Sequence, residues 1–556
     1  MAKNRAPRLR SDFNLGAEQA EADPLLSTAF FETGDYRAIH ARSDPYRFII
    51  GRTGAGKSAA LQYLEEQEAG RVIRIAPEDL SLPYITNLGV IRYLDDLNVK
   101  LDPFFIALWK HVLLVEIIRH RYKVNSPAAK RNIMDTLRAK VQRDPTKQAA
   151  LAYLEEFADK FWCETDERVR EITDNLERQI GVAGEVPFPS PAANPLLTAT
   201  ASRVHSQSSR QELAERFQRI VNDTQLPRLN QMIKVLHEDI VDEQHFTYVI
   251  IDDLDRDWVD ERIANDLIRC LFRTVVDLMR ARNVKILVAL RTNIFQQLEF
   301  GRTTGQEEKF RALSLHMRWD EGDLGALLEE RIAAASRERG DELRLRTRDL
   351  LPNPNNAKGD PVKFMIERTL RRPRDLISFA NEALRGASGS SRVTWADIHA
   401  AEKTYSSKRL LALRDEWKPT FPGIDQVMSV FRRSPRQMPR DELSRRLDDA
   451  MLLPADSGFP GTVWMTAASE NMLGSGANSG SWGELYGELV QILFSIGFLG
   501  LIDERGRTVW AHDEAGYADS LASLDLTVGA EVHPAFRPAL DIANEQVGRR
   551  RHPSSA

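Results

Sequence analysis

An open, parallel α/β sheet with a ligand at the carboxyl ends of its strands is the fold class that this sequence predicts, and three stretches predict it. The first is Tyr46–Leu61, YRFIIGRTGAGKSAAL, where an apolar run passes into a glycine-rich loop and then into helix-forming residues. The second is His245–Trp258, HFTYVIIDDLDRDW, a buried-strand pattern that ends on two carboxylates. The third is Val284–Leu290, another apolar run, which ends in Arg291-Thr292-Asn293. Strands that alternate with helical patterns make a parallel sheet, and such sheets bind ligands beyond their strand ends.

The whole chain sets the bounds. Its 556 residues exceed one compact core, so two to four domains are expected. A hydrophobic content of 42% with 28% charged residues describes an ordinary globular protein. The net charge of −5 recruits no nucleic acid globally, so any such site must be a local patch. Cys163 and Cys270 have no metal-ligand spacing and read as reduced thiols of a cytoplasmic protein. No apolar run reaches about 18 residues, so no membrane span is expected.

Taken in order, residues 1–44 form a lead-in whose first twelve read as a disordered basic segment. Tyr36, just ahead of the loop strand, either walls a nucleotide base or packs on the sheet edge. Residues 45–122 form the first part of the core. Here Gly51, Arg52, Thr53, Gly54, Ala55, Gly56, Lys57 and Ser58 fit G-x-x-x-x-G-K-[ST], and Ala59 continues into a helix. The glycines let successive N–H groups turn inward around anionic oxygens, and the helix start aims its dipole at them. Lys57 supplies a point charge for β- and γ-phosphates, and the Ser58 hydroxyl takes one Mg²⁺ position. Arg71–Ile75 reads as a strand and Asp102–Tyr122 as a buried helix.

Residues 123–242 read as a helical insertion. Leu154, Phe157 and Phe161, then Val169, Ile172, Leu176 and Ile180, repeat at steps of three and four. A coiled-coil arm and a stripe packed on the core both explain that spacing. The core resumes over 243–340. Asp252 is assigned to Mg²⁺ and Asp253 to the attacking water, with solvated turn acids as the plain alternative. Arg291 is placed to sense a γ-phosphate. Leu313–Trp319 is expected as a fifth strand, and the loop before it carries Arg302, Lys309 and Arg311. A cation from that loop, Arg311 first, could complete a neighbour's site in a homo-oligomer; a solvated loop with scattered charge explains it too.

Residues 341–418 form a helical lid with Arg371-Arg372-Pro373-Arg374 at a helix start. Pro373 and Arg374 present a cation to bound phosphate, or simply cap and pack. Thr394 caps a long helix, Trp395–Trp417. In 419–556, helices near Gly423–Phe431, Arg440–Met451 and Trp482–Ile496 flank a Gly/Ser-rich loop, Ala455–Gly480, and precede a hairpin turning at Gly506. Three helices and a wing make a winged-helix-like module. Its third helix carries Glu484 and Glu488, whereas groove-facing helices need cations. Protein contact or internal packing therefore ranks ahead of DNA binding.

With the loop, IIDDLDR, LRTN and RRPRDLISFAN in hand, the chain resembles the STAND and KAP groups of bacterial P-loop ATPases, within the wider AAA+-like class. It looks closest to an uncharacterised bacterial family with an RPRDLI-type motif and an ending such as Val532-His533-Pro534-Ala535-Phe536. That resemblance covers nearly the whole chain except the insertion. It implies an ATP- and Mg²⁺-dependent conformational switch, used in antiphage defence alongside a separate effector protein. The alternative it leaves open is an origin-recognition-like ATPase that clamps DNA.

Overall fold

The computed structural model describes residues 9–76, 101–122, 229–230, 233, 246–254, 261–281, 283–298, 307–338, 345–470 and 480–543. The expected helical insertion falls almost wholly outside the described residues, as do Cys163, Arg302, Asp255, Arg256 and the tail arginines 549–551. The chain divides into two compact units. One comprises Gly34–Arg52 and Lys57–Met317; the other comprises the N-terminal residues through Thr33, the four residues Thr53–Gly56, and everything from Arg318 onward.

The first unit is built on five parallel strands: β1 (Phe48–Gly51), β2 (Val72–Ile75), β3 (Thr247–Ile251), β4 (Val284–Arg291) and β5 (Ser314–His316). Their order is β2-β3-β4-β1-β5, so β4 lies between the strand that enters the glycine loop and the strand that ends on the carboxylates. The central strands are buried along their length, up to a partly exposed Arg291 at the end of β4, which is why their sequences are apolar runs rather than alternating ones. Helices cover them. Phe48 of β1 stacks on Phe272 of the helix Glu261–Leu278, with ring centroids 3.7 Å apart. Burial of one such ring contributes about 1.5–3 kcal/mol. The expected helix Asp102–Tyr122 is present, and Trp109 Nε1 donates to Leu267 O of the neighbouring helix at 3.0 Å. Asp102 at its first turn accepts from Arg269 and Arg273, both at 3.0 Å, so a carboxylate sits at the positive helix end.

One polar residue interrupts β4. Lys285 is fully buried and donates through Nζ to Ala38 O at 2.9 Å and Ala41 O at 2.6 Å. These carbonyls lie at the C-terminal end of the helix Gly34–His40, where a cation is favourable.

The second unit contains helices Glu321–Glu338, Pro361–Ile366, Pro373–Gly386 and Trp395–Trp417. Thr394 starts the last with a reciprocal cap: its Oγ1 accepts from Asp397 N–H, and Asp397 Oδ2 accepts from Thr394 N–H at 2.8 Å. A four-stranded antiparallel sheet follows, from β6 (Gln437–Pro439), β7 (Leu499–Ile502), β8 (Thr508–Val509) and β9 (Gly529–Val532), in the order β6-β9-β7-β8. The hairpin β7–β8 turns through Gly506 at φ +76°, which only glycine adopts freely.

Three expectations are corrected here. Leu9 is not part of a disordered lead-in: it is 4% exposed, and its N–H donates to Ser390 O at 2.7 Å. The Gly/Ser-rich stretch after Ala455 contains a helix, Thr462–Ala468, anchored by buried Met465. Lys309 and Arg311 lie not on a loop but on a short helix, Glu307–Ala312.

Burial, with Arg47 nearby, pushes the Lys285 ammonium from its ordinary 10.5 down to about 8. Between these values the unfolded chain binds more protons, so this residue makes stability rise as pH climbs from about 8 towards 10.5. Melting curves across that window should show this rise in the wild type and not in Lys285→Met. Parallel curves for the two proteins would exclude it.

Candidate functional site

In the first unit, the site is assembled at the carboxyl ends of β1, β3 and β4. Gly51, at the end of β1, is in register with Arg291, at the end of β4. Lys57 and Ser58 open the helix Lys57–Gln67. The Lys57 ammonium donates to Gly51 O at 2.8 Å and to Arg52 O at 3.3 Å, so it is folded onto the loop's own carbonyls.

The acidic pair continues β3. Asp252 is 6% exposed. Its Oδ1 accepts from Asp253 N–H at 2.9 Å. Its Oδ2 is buried, accepts no hydrogen bond from the described residues, and lies 3.6 Å from Arg74 Nη2. A buried carboxylate oxygen that lacks a hydrogen-bond donor is the group a hard cation would take. Together with the Ser58 hydroxyl, it suits the Mg²⁺ expected of the sequence. Asp253 adopts φ +61°, a left-handed conformation that aspartate tolerates better than most residues.

Tyr36 is 2% exposed, with its ring against Tyr63 at 5.3 Å and His40 at 5.9 Å. It offers no open face to a base in this arrangement. Arg311 lies in the last turn of its short helix, on an exposed position.

In the second unit, three of the four residues Thr53–Gly56 are held through their backbone groups. Arg372 Nη1 donates to Thr53 O at 2.9 Å, while Thr53 N–H donates to Glu416 Oε1 at 3.4 Å. Arg374 N–H reaches Gly54 O at 3.5 Å, and Trp319 Nε1 donates to Ala55 O at 2.8 Å. Gly54 (φ +82°) and Gly56 (φ +94°) both need glycine for their backbone, and a Cβ on Gly54 would lie 3.0 Å from that of Arg374. Pro373 opens the helix that carries Arg374, whose Nε donates to Glu18 O at 3.0 Å.

Arg372 is the residue that sequence reasoning passed over. It is 5% exposed and also bonds Asp375 at 3.0 Å and Glu416 at 3.0 Å. Asp375 in turn accepts from Arg409 at 2.8 Å, and Arg409 reaches Glu18 at 3.2 Å. Burial alone would push the Asp375 carboxyl up, but Arg372 and Arg409 outweigh it and hold the group below its ordinary range. The available signal in the sequence was the i,i+3 pair Arg372–Asp375.

Comparisons with known proteins add four findings. Residues 322–414 match a family model described as the FunZ-associated C-terminal helical domain. The chain is similar to the putative transposon gamma-delta 80.3 kDa protein of Escherichia coli (strain K12), with 24% identity over 512 residues, covering 88% of this chain and 62% of that protein. It is also similar over 100 residues to Allergen Alt a 2 of Alternaria alternata, at 32% identity, covering 18% of this chain and 53% of that protein. The chain thus spans between half and two thirds of the length of these curated relatives. Among solved structures, the Walker-type ATPase paby2304 of Pyrococcus abyssi matches with a TM-score of 0.36 and 12% identity, over 89% of this chain and 96% of that one.

Removing Arg372 leaves Asp375 and Glu416 buried without their shared cation. Breaking a buried pair in this way costs about 3–5 kcal/mol. Arg372→Met should therefore lower the unfolding free energy of the full chain by that order in a denaturant titration. A loss below about 1 kcal/mol would show that the network contributes little.

Proposed function

We propose that this chain is an ATP-binding and ATP-hydrolysing regulatory switch. The observation that carries the reading is a strand–loop–helix with Lys57 and Ser58, one strand removed from a strand that leads into Asp252 and Asp253, within one parallel sheet. In this reading, the amides of Gly51–Ala59 hold the triphosphate, and Lys57 leaves the Gly51 and Arg52 carbonyls to face the β- and γ-phosphates. Ser58 and Asp252 hold Mg²⁺, which when bound neutralises charge on the β- and γ-phosphate oxygens. Asp253 orients the attacking water and accepts its proton. Arg291 senses the γ-phosphate from the end of β4. Arg374, beside Gly54, is a second phosphate-facing cation.

The biological setting is proposed from the resemblance: a bacterial antiphage system in which the switch acts on a separate effector protein. A match to a FunZ-associated domain and a relative named for a transposon suit a mobile accessory system. The C-terminal helices and sheet serve in this reading as a winged-helix-like module for protein contact. Stimulation of turnover by duplex DNA would instead favour a DNA-clamping ATPase.

Lys57→Ala should lose nucleotide binding, read by titration with a fluorescent ATP analogue; unchanged affinity would refute the site. Asp253→Asn should keep Mg·ATP bound and lose roughly 10²–10⁴ in turnover, the usual worth of a positioned base. Asparagine suits this test because it also tolerates a left-handed φ. Equal turnover would move the role elsewhere.

Assembly is a further part of the reading, with Arg311 delivered to a neighbouring subunit. A cation supplied in trans can be worth ~10³–10⁵ in rate. Specific activity should then rise with protein concentration alongside the mass measured on the same samples, and Arg311→Ala should abolish the rise. Flat activity from a protein that stays monomeric would end the proposal.

A further inference from the structure

A cavity of about 300 Å³ lies in the second unit, walled by the turn at Arg371 and by the four-stranded sheet. Its wall is rich in hydrogen-bond donors. Arg371, Arg436 and Arg537 line it together with Trp510, His533 and Thr508. Ala535 N–H donates to His533 Nδ1 at 3.2 Å, which places the ring proton on Nε2. Three carboxylates also line the cavity, each with a cation nearby. Glu531 accepts from Arg537 at 2.6 Å, Thr508 at 2.6 Å and Gln437 at 3.3 Å. Glu321 and Glu367, on the outer wall, pair with Lys363 and Arg368, each at 3.9 Å.

Arg436 stands apart. Its nearest paired carboxylate oxygen is Glu531 Oε2, 3.9 Å away and already bonded to Arg537, and 46% of its side chain is exposed. Arg371 pairs through Nη1 with Asp513 at 2.9 Å and adopts φ +51°. An arginine in that region is strained, and such residues collect at ligand sites and switches. Burial, to which Arg436 and Arg368 add, outweighs Glu531 and pushes the Arg537 guanidinium down to about 10. An added anion would reverse that deficit.

We propose that this cavity binds a small phosphate-bearing molecule, held by Arg371 and Arg436, and that Arg371 passes its occupancy to the adjoining Arg372. Guanidinium groups match phosphate oxygens in geometry and charge. The volume sits at the lower limit for small-molecule sites, which suits a phosphomonoester. Arg372 holds Thr53 O, so a change of backbone at Arg371 alters the loop tip within the same unit. This last step rests on the nucleotide reading of the loop, whereas binding in the cavity does not.

The test uses the full chain carrying Lys57→Ala, so that the glycine loop does not take up the probe. Inorganic phosphate, pyrophosphate and AMP are titrated separately by calorimetry. We expect saturable binding of at least one probe. Preference for AMP would identify a nucleotide-like ligand, and equal binding of inorganic phosphate a bare oxyanion. Arg436→Gln and Arg371→Gly, added singly, should each weaken binding at least tenfold while the cooperative melt is kept. Arg436 is half exposed and glycine accepts φ +51°, so neither change threatens the fold. Absence of binding by all three probes, or undiminished binding in both double variants, would overturn the site. In the chain with an intact loop the probe also competes at the loop itself, so the relay is read as the part of the shift in affinity for a fluorescent ATP analogue that Arg371→Gly removes, expected to be at least threefold. An equal shift in the wild type and in Arg371→Gly would overturn the relay. A chain that binds no ATP analogue at all would refute the nucleotide reading and the relay with it, while the calorimetry judges the cavity.

Discussion

A buried guanidinium orders the second unit. Arg372 is desolvated, and burial by itself works against its charge, yet Asp375 and Glu416 more than offset that cost and keep it ionised. The same group donates to Thr53 O, so the loop tip is set by a charge that cannot move without giving up two buried acids. Thr53 and Ala55 are thereby held by side chains from distant parts of the sequence, and Gly54 by the backbone N–H of Arg374. Pre-organisation of this kind removes the ordering cost that a flexible loop would pay on meeting a ligand.

The helix Trp395–Trp417 is what brings those partners into line. Arg409 and Glu416 are seven residues apart, two turns along one face, so both reach the start of the helix Pro373–Gly386. Leu413 and Trp417 on the same helix join the hydrophobic core shared with Phe431, Leu489 and Phe536, while Tyr405 joins another with Phe379 and Leu324. One rigid element thus carries both the packing of the C-terminal residues and the polar grip on Thr53.

Legibility followed the range of the interactions. Helices defined by local caps and periodicity, such as the one that Thr394 starts, could be read from their own residues. So could the parallel strands, because burial on both faces writes itself as an apolar run. The strands β6 and β9 could not. They are three and four residues long, and the pairing of Met438 with Ala530 is invisible without the fold. The choice between Arg372 and Arg374 was likewise hidden, since spacing along the chain does not say which guanidinium turns inward. The helix Thr462–Ala468 was masked by the glycines and serines around it, and the burial of Leu9 depends on partners such as Ser390.

The backbone at Asp253 carries a consequence for the kind of acid that can stand there. Glutamate would carry its carboxylate one methylene further into the site, but in the left-handed region it loses the compact side chain that lets aspartate sit there at modest cost. At this position the chain geometry favours aspartate over a longer acid. A change that lengthens the acid there meets a left-handed backbone that costs about 1–2 kcal/mol for an ordinary side chain, so reach and conformation are coupled at this one residue.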